Sequence, residues 1–374
     1  MRVELLRAEG FRNLTGVAFA PCEDVNVICG HNAQGKTNLL EALWLFTGAR
    51  SFRGSKESEY IGFGKDTAEL SLNFYAHGRA QSSDIRLSGA EKHVYLNGID
   101  ISRTAGELSG RFCAAVFSPD HLDIIKSGPK NRRALIDASL CQAYPKYGKV
   151  LDSYGKILRQ RAFILKDIQE QNQLLDLLDA WDQNLIEYGG YITWMRARYV
   201  SKLAAYGAEE YAGISGGREK FSAFYRASCD ENSKLDLGEL GRAEITGLLA
   251  KAVGGSRKND IRLAQTNIGP HRDDIEVETG GKSARIYGSQ GQQRSCVLAL
   301  KLAECRILEE SLGEPPIVLL DDVMSELDEG RRSYILNCLT GRQVFISCCE
   351  AELLGTLRGG RVFCVKSGRL TINN

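Results

Sequence analysis

The sequence has little net charge, no long apolar run and no paired-cysteine motif. Lys plus Arg number 48 against 47 Asp plus Glu, so the formal net charge is +1. That balance does not indicate a strongly basic nucleic-acid binder, although it leaves room for a local basic face. No uninterrupted apolar stretch approaches the roughly 20 residues that span a bilayer, so no membrane partner is expected. The start, Met1-Arg2-Val3-Glu4-Leu5-Leu6-Arg7-Ala8-Glu9, carries acids and has no apolar core of secretory length. The eleven cysteines are scattered without a C-x-x-C pair, and Cys29, Cys296, Cys305 and Cys338 sit inside apolar segments. Neither a zinc site nor a disulfide framework follows. Free thiols in a reducing cytoplasm are the expectation.

What is present is ordinary for a soluble globular chain: 374 residues, 43% apolar and 25% charged. That length suits two domains, or one large domain with an insertion.

One octet stands out. Gly30-His31-Asn32-Ala33-Gln34-Gly35-Lys36-Thr37 fits G-x-x-x-x-G-K-[ST], a phosphate-binding loop. The apolar run Val25–Cys29 before it reads as a buried strand, and Leu39–Phe46 after it as a buried helix. A chance glycine-rich turn would not need those flanks. Glycines let backbone N–H groups turn around a phosphate. The helix N-terminus adds partial positive charge. Lys36 would reach the β- and γ-phosphates of a nucleotide, and the Thr37 hydroxyl would ligate Mg²⁺.

The early segment reads as strands at Thr67–Ala76, Ser82–Ser88, Lys92–Leu96 and Phe112–Phe117, with a tight turn at Asn97-Gly98. From about residue 129 the period becomes helical. Leu151, Tyr154, Leu158, Ala162, Leu165 and Ile168 recur at three or four. Leu174, Leu178, Trp181, Leu185, Tyr188, Ile192, Met195 and Tyr199 form a heptad seam. Gln171-Asn172-Gln173 is the expected turn between the two antiparallel helices, and Gly189-Gly190 the expected kink. Strand character returns at Arg262–Thr266, Asp274–Glu278 and Ala284–Tyr287. A helix at Gln292–Ser311, a strand at Ile317–Leu320, a helix at Arg331–Leu339, a strand at Val344–Ser347 and a hairpin at Lys366–Arg369 follow. The expected fold is α/β: a head of residues 1–120 plus 262–374 with a mixed sheet and helices. A helical arm, 121–261, with a short coiled-coil-like hairpin interrupts it.

The second half offers what the loop lacks. Ile317-Val318-Leu319-Leu320-Asp321-Asp322 is a buried-strand pattern ending in two acids. Asp321 is placed to hold Mg²⁺, and Asp322 to orient or deprotonate an attacking water. Ser289, Gly291 and Gln292 open a helix and form a second anion-binding candidate. Ser325-Glu326-Leu327-Asp328 comes after the two acids. This order is that of an ABC-type ATPase head. In such a head Ser289 of one protomer would meet the γ-phosphate held by Lys36 of the other, with Asp328 also at that composite site.

The resemblance then narrows. Gly10-Phe11-Arg12-Asn13, the 30–39 stretch, Phe117-Ser118-Pro119-Asp120, Gly269-Pro270-His271-Arg272-Asp273-Asp274, Tyr287–Ser295 and Leu320–Asp328 occur in the order found in the RecF family of SMC-like ATPases. The chain resembles that family over nearly its whole length. The resemblance implies an ATP-induced homodimer that clamps single-stranded DNA, gapped duplex DNA and single-strand/duplex junctions. It implies partners RecR and RecO, and work in recombinational repair, replication restart and the SOS response. Gly288, Gln290 and Asp322 depart from the general ABC pattern but match RecF. Asp is one methylene shorter than Glu, so slow hydrolysis is expected at Asp322. Cys348-Cys349 occupy the position of the switch histidine.

Two basic clusters are candidates for DNA contact. Arg50, Phe52, Arg53 and Lys56 place an aromatic among cations, and Lys130, Arg132 and Arg133 begin the arm. A solvated surface loop explains either cluster about as well. His271 with Asp273 and Asp274 reads as local hydrogen bonding rather than a metal site. An ATP-binding subunit of a transporter would carry a Leu-Ser-Gly-Gly-Gln signature, a switch histidine and no arm. A small-molecule kinase would need neither the arm nor Ser289–Gln292.

Overall fold

The computed structural model describes all residues except 90, 103–107, 123, 169–173, 231–234, 350–359 and 373–374. The chain opens with β1 (Arg2–Glu9) and β2 (Val17–Phe19), which pair antiparallel. Strand β3 (Val25–Cys29) is buried from Asn26 to Cys29, the continuous pattern of an interior parallel strand. Helix α1 (Lys36–Leu45) buries Leu39, Leu40, Ala42, Leu43, Trp44 and Leu45. It is apolar nearly all round because its cluster draws residues from two sheets.

The first of these sheets is antiparallel. Strands β4 (Thr67–Ala76), β5 (Arg79–Ser88), β6 (Glu91–Leu96) and β7 (Ile99–Asp100) extend β1 and β2 in the order β2-β1-β4-β5-β6-β7. In β4 alternate residues Ala68, Leu70, Leu72, Phe74 and Ala76 are buried, as a one-face sheet requires.

The chain next forms β8 (Ala114–Phe117), the short helix α2 (Pro119–Leu122), and helices α3 (Pro129–Ala143), α4 (Pro145–Asp167) and α5 (Leu174–Ser215). The seam holds: Leu178, Leu185, Ile192 and Tyr199 are buried, and Leu174, Trp181, Tyr188 and Met195 are partly so. The expected turn at 171–173 lies outside the described residues. Helix α5 runs unbroken through Gly189 and Gly190. The pair does not end the helix. It admits a neighbour, because a Cβ on Gly189 would come 2.9 Å from Leu249, and one on Gly190 would strike Thr246.

That neighbour, α6 (Arg242–Leu263), and the strand before it, β9 (Phe221–Arg226), carry no clear sequence period. Strand β9 pairs with β10 (Asp274–Thr279), which pairs with β11 (Lys282–Ser283). Two expected strands are corrected here. Arg262 and Leu263 close α6, with residues 264–266 following it outside any strand, and Ala284–Tyr287 is the helical turn α7. So short a segment does not distinguish strand from helix.

Helix α8 (Gln290–Leu312), strand β12 (Ile317–Asp321), helix α9 (Glu329–Cys338) and strands β13 (Val344–Cys348), β14 (Arg361–Lys366) and β15 (Arg369–Ile372) complete the chain. The second six-stranded sheet has the order β15-β14-β3-β13-β12-β8 and is parallel from β14 to β8. Register aligns the carboxyl ends of its strands: Asp321 sits beside Ser347, and Cys348 beside Cys29. Open parallel sheets bind ligands at that edge.

Candidate nucleotide site

The loop from Gly30 to Thr37 leaves β3 at this edge. Gly30 (φ 152°), Ala33 (φ 64°) and Gly35 (φ 117°) take positive φ. A Cβ on Gly30 would lie 2.5 Å from the Val365 carbonyl oxygen, so glycine is required there on steric grounds as well. Neighbouring segments pin the loop. Asn13 donates to the Ala33 carbonyl at 3.2 Å, and Gln34 accepts from Ser367 N–H at 2.6 Å. The Lys36 ammonium donates to the carbonyl oxygens of Gly30 (2.7 Å) and His31 (3.2 Å). His31, Asn32 and Ala33 are exposed.

Thr37 Oγ1 donates to Asp321 Oδ1 at 2.9 Å, and Ser347 Oγ donates to the same oxygen at 2.8 Å. Burial pushes the Asp321 carboxyl above its ordinary value, against the pull of those two donors. A carboxylate held in this way beside a hydroxyl is an oxygen donor set that fits Mg²⁺. Asp322 follows in left-handed backbone (φ 52°), a conformation that Asp tolerates better than most residues. Ser347 Oγ accepts from Asp322 N–H at 3.0 Å and so fixes that turn. Sequence reasoning missed Ser347. Its role depends on the β12–β13 register, although its place at the end of an apolar strand was visible. Cys349 is exposed, with its sulfur 3.7 Å from the Lys36 nitrogen and 3.1 Å from Asn32 Oδ1.

Behind the loop, Glu41 is fully buried and accepts from Arg12 at 2.6 and 2.9 Å, and also from Ser51. This tie fastens the Gly10–Asn13 segment to α1. Arg12 and Glu41 were not singled out for chemistry from sequence.

The second anion candidate lies elsewhere. Ser289 caps α8: its Oγ accepts from Gln292 N–H at 3.2 Å, and Gln292 Oε1 accepts from Ser289 N–H at 2.7 Å. Asp328 caps α9 and pairs with Arg331, which also donates to Gly291 O (3.3 Å) and Ser295 Oγ (3.1 Å). Ser289, Gly291, Gln292, Arg331, Arg218 and Tyr211 line a cleft of about 490 Å³. None of residues 30–37 lines it. The Ser289 cap thus faces a cleft that the loop does not line.

The basic clusters divide. Arg132 is buried. It grips Asp274 at 2.7 and 2.8 Å and donates to the carbonyls of Ile124, Ile125 and Ser127. Its fork is spent inside the protein, so the expectation that it meets DNA is withdrawn. Arg133 is half-buried and donates to the Asp273 carbonyl at 2.6 Å. Phe52 packs edge-on against Trp44, with ring centroids 6.1 Å apart. Arg50, Lys56 and Lys130 are exposed, as is Arg53, which donates to Asn38 at 3.0 Å. His271 bonds to the Tyr154 hydroxyl (2.8 Å) and the Thr266 carbonyl (3.1 Å), and Asp273 accepts from Tyr225 and Ser228. Among the described residues, no helix is long and apolar enough to cross a membrane.

The family described as RecF/RecN/SMC N terminal domain matches residues 2–365. The chain is 37% identical to the DNA replication and repair protein RecF of Agathobacter rectalis, covering 100% of this chain and 99% of that protein. It is 36% identical to RecF of Clostridium perfringens, covering 99% of each. A solved structure described as the recombination mediator protein RecF-ATPrS in the RecFOR pathway superposes with a TM-score of 0.91 at 35% identity, covering 100% of this chain and 98% of that one. The Smc head domain of Pyrococcus furiosus shares the fold, with a TM-score of 0.55 at 17% identity.

Proposed function

Because this chain belongs to the RecF family of SMC-like ATPases, we propose that it is an ATP-switched DNA-binding protein of recombinational repair, replication restart and the SOS response. It binds gapped and single-stranded DNA as an ATP-induced homodimer, and RecR and RecO are its partners in the cytoplasm. The observation that carries this reading is the split site: the Ser289 cap faces a cleft that none of residues 30–37 lines. Two copies facing each other would put Ser289, Gly291, Gln292 and Asp328 of one against the nucleotide on the other. The described likeness of RecF-ATP and RecF-ATPrS structures supports ATP as the ligand. The proposed units are the head, 1–120 plus 262–374, and the arm, 121–261.

In this reading the N–H groups of residues 33–37 surround the phosphates and Lys36 pairs with the β- and γ-oxygens. Thr37 and Asp321 would hold Mg²⁺, which supplies charge neutralisation at the terminal phosphates. Asp322 orients the attacking water from a backbone that Ser347 fixes. Its short side chain supports weak ATPase activity, stimulated by DNA. Arg50, Arg53, Lys56, Lys130 and Arg133 are the proposed phosphate contacts, with Phe52 at their edge.

A sizing column tests the proposal. ATP with gapped DNA shifts the protein from monomer to a DNA-bound dimer. A protein that stays monomeric and unbound with both present contradicts it.

A further inference from the structure

Three cysteines line up across the edge of the parallel sheet that carries the phosphate loop. Cys29 ends β3 and pairs in register with Cys348 of β13 on one side and Cys364 of β14 on the other. The sulfurs of Cys29 and Cys364 are 2.9 Å apart, and both thiols are free. Directly paired strands lie about 4.8 Å apart. That spacing falls inside the Cα range of a disulfide. We propose that Cys29 and Cys364 are a redox modification site at the root of the phosphate loop, oxidised by peroxides to a disulfide that weakens nucleotide binding. The consequence for nucleotide rests on the loop reading above; the disulfide does not.

The two thiols have different roles. Cys364 is half-buried, and it is the sulfur that peroxide reaches. Its thiol gives up a proton, the thiolate attacks the O–O bond and becomes a sulfenic acid, and the released hydroxide takes that proton to leave as one water. Cys29 is buried with its sulfur 2.9 Å from that of Cys364, so it serves as the resolving thiol. Its sulfur attacks Cys364, and the departing hydroxide takes the Cys29 proton as a second water. Two thiols together lose two electrons and two protons, and the peroxide is reduced to two waters.

The bond alters the loop through Gly30. The sulfurs close by about 0.9 Å to reach disulfide length, and the bond ties the end of β3 to β14. Gly30 already rests against the Val365 carbonyl of β14, where a Cβ would come within 2.5 Å. Adjustment at Cys29 falls on the adjoining Gly30 peptide, whose carbonyl holds the Lys36 ammonium at 2.7 Å. Lys36 is then displaced from the phosphates.

The experiment treats the full-length protein with hydrogen peroxide, maps its peptides without reduction, and titrates a fluorescent ATP analogue before and after. The expected results are a Cys29–Cys364 linked peptide and about fivefold weaker binding, both reversed by dithiothreitol. In Cys364→Ser the linked peptide is absent and peroxide leaves binding unchanged; Cys348→Ser behaves as wild type. A linkage of Cys29 to Cys348, or no linkage while exposed Cys349 is oxidised, overturns the site. So does a binding loss that persists in Cys364→Ser. If the reduced protein binds no nucleotide, the loop reading fails, while the peptide map still decides the disulfide.

Discussion

Thr37 Oγ1 donates to Asp321 Oδ1 at 2.9 Å, joining residues 284 positions apart in sequence. The bond brings the first turn of α1 to the end of β12. It also presents a hydroxyl and a buried carboxylate side by side, with Ser347 completing the set.

Thr37→Val keeps the branched shape and removes the hydroxyl. In wild type, Mg²⁺ should tighten ATP binding by about tenfold or more over binding in EDTA, the scale of one charge-assisted contact. In the variant that ratio should fall to near one, with binding in EDTA retained. Calorimetric titration in both buffers measures it. An unchanged ratio removes Thr37 from the metal site.

The basic clusters separate by salt dependence. Arg53→Ala with Lys56→Ala should reduce the slope of log K against log salt for duplex-containing DNA by about 1.8, at about 0.9 per phosphate contact. Arg132→Ala should leave that slope alone and instead destabilise the fold by about 3 kcal/mol, because Asp274 loses its partner. Urea unfolding and filter binding on the same preparations distinguish the two effects. A changed DNA slope with unchanged stability in Arg132→Ala would reverse the assignment.

Burial holds His271 down to about 4, and nearby Arg272, Arg133 and Arg161 oppose its charge further. Its ordinary value is about 6.5. Between those values the unfolded chain binds the proton and the folded chain does not. Stability from this group is therefore complete above about pH 6.5 and is lost as pH falls toward 4. Urea midpoints should decline from pH 7 to pH 5, less steeply in His271→Gln. His121, lowered to about 3 by desolvation and by the Lys301 charge, contributes in the same direction. A His271→Gln slope equal to wild type would exclude His271 as the cause.

Much of the site was legible because its parts are contiguous. The loop, its strand and its helix lie within residues 25–46, and the two acids end an apolar run. The capping box at Ser289 is likewise local, set by a three-residue spacing. What escaped reading depends on distant segments. Arg132 and Lys130 look alike in sequence, but Asp274, 142 residues from Arg132, takes one of them into the interior. Ser347 acquires its role only from strand register. Gly189 and Gly190 read as a weak point until Leu249 and Thr246 of α6 are set against them. Helix α6 was missed because its apolar face is sparse: Ile245, Leu249 and Val253 are its buried apolar residues.

The central claim is that Ser289 completes a nucleotide site on a second copy. Sedimentation velocity of wild type and Ser289→Arg, each with and without ATP and Mg²⁺, tests it most directly. The account predicts that ATP drives wild type to a dimer, while Ser289→Arg binds ATP with unchanged affinity and stays monomeric. Dimerisation of Ser289→Arg by ATP to the wild-type extent would contradict it.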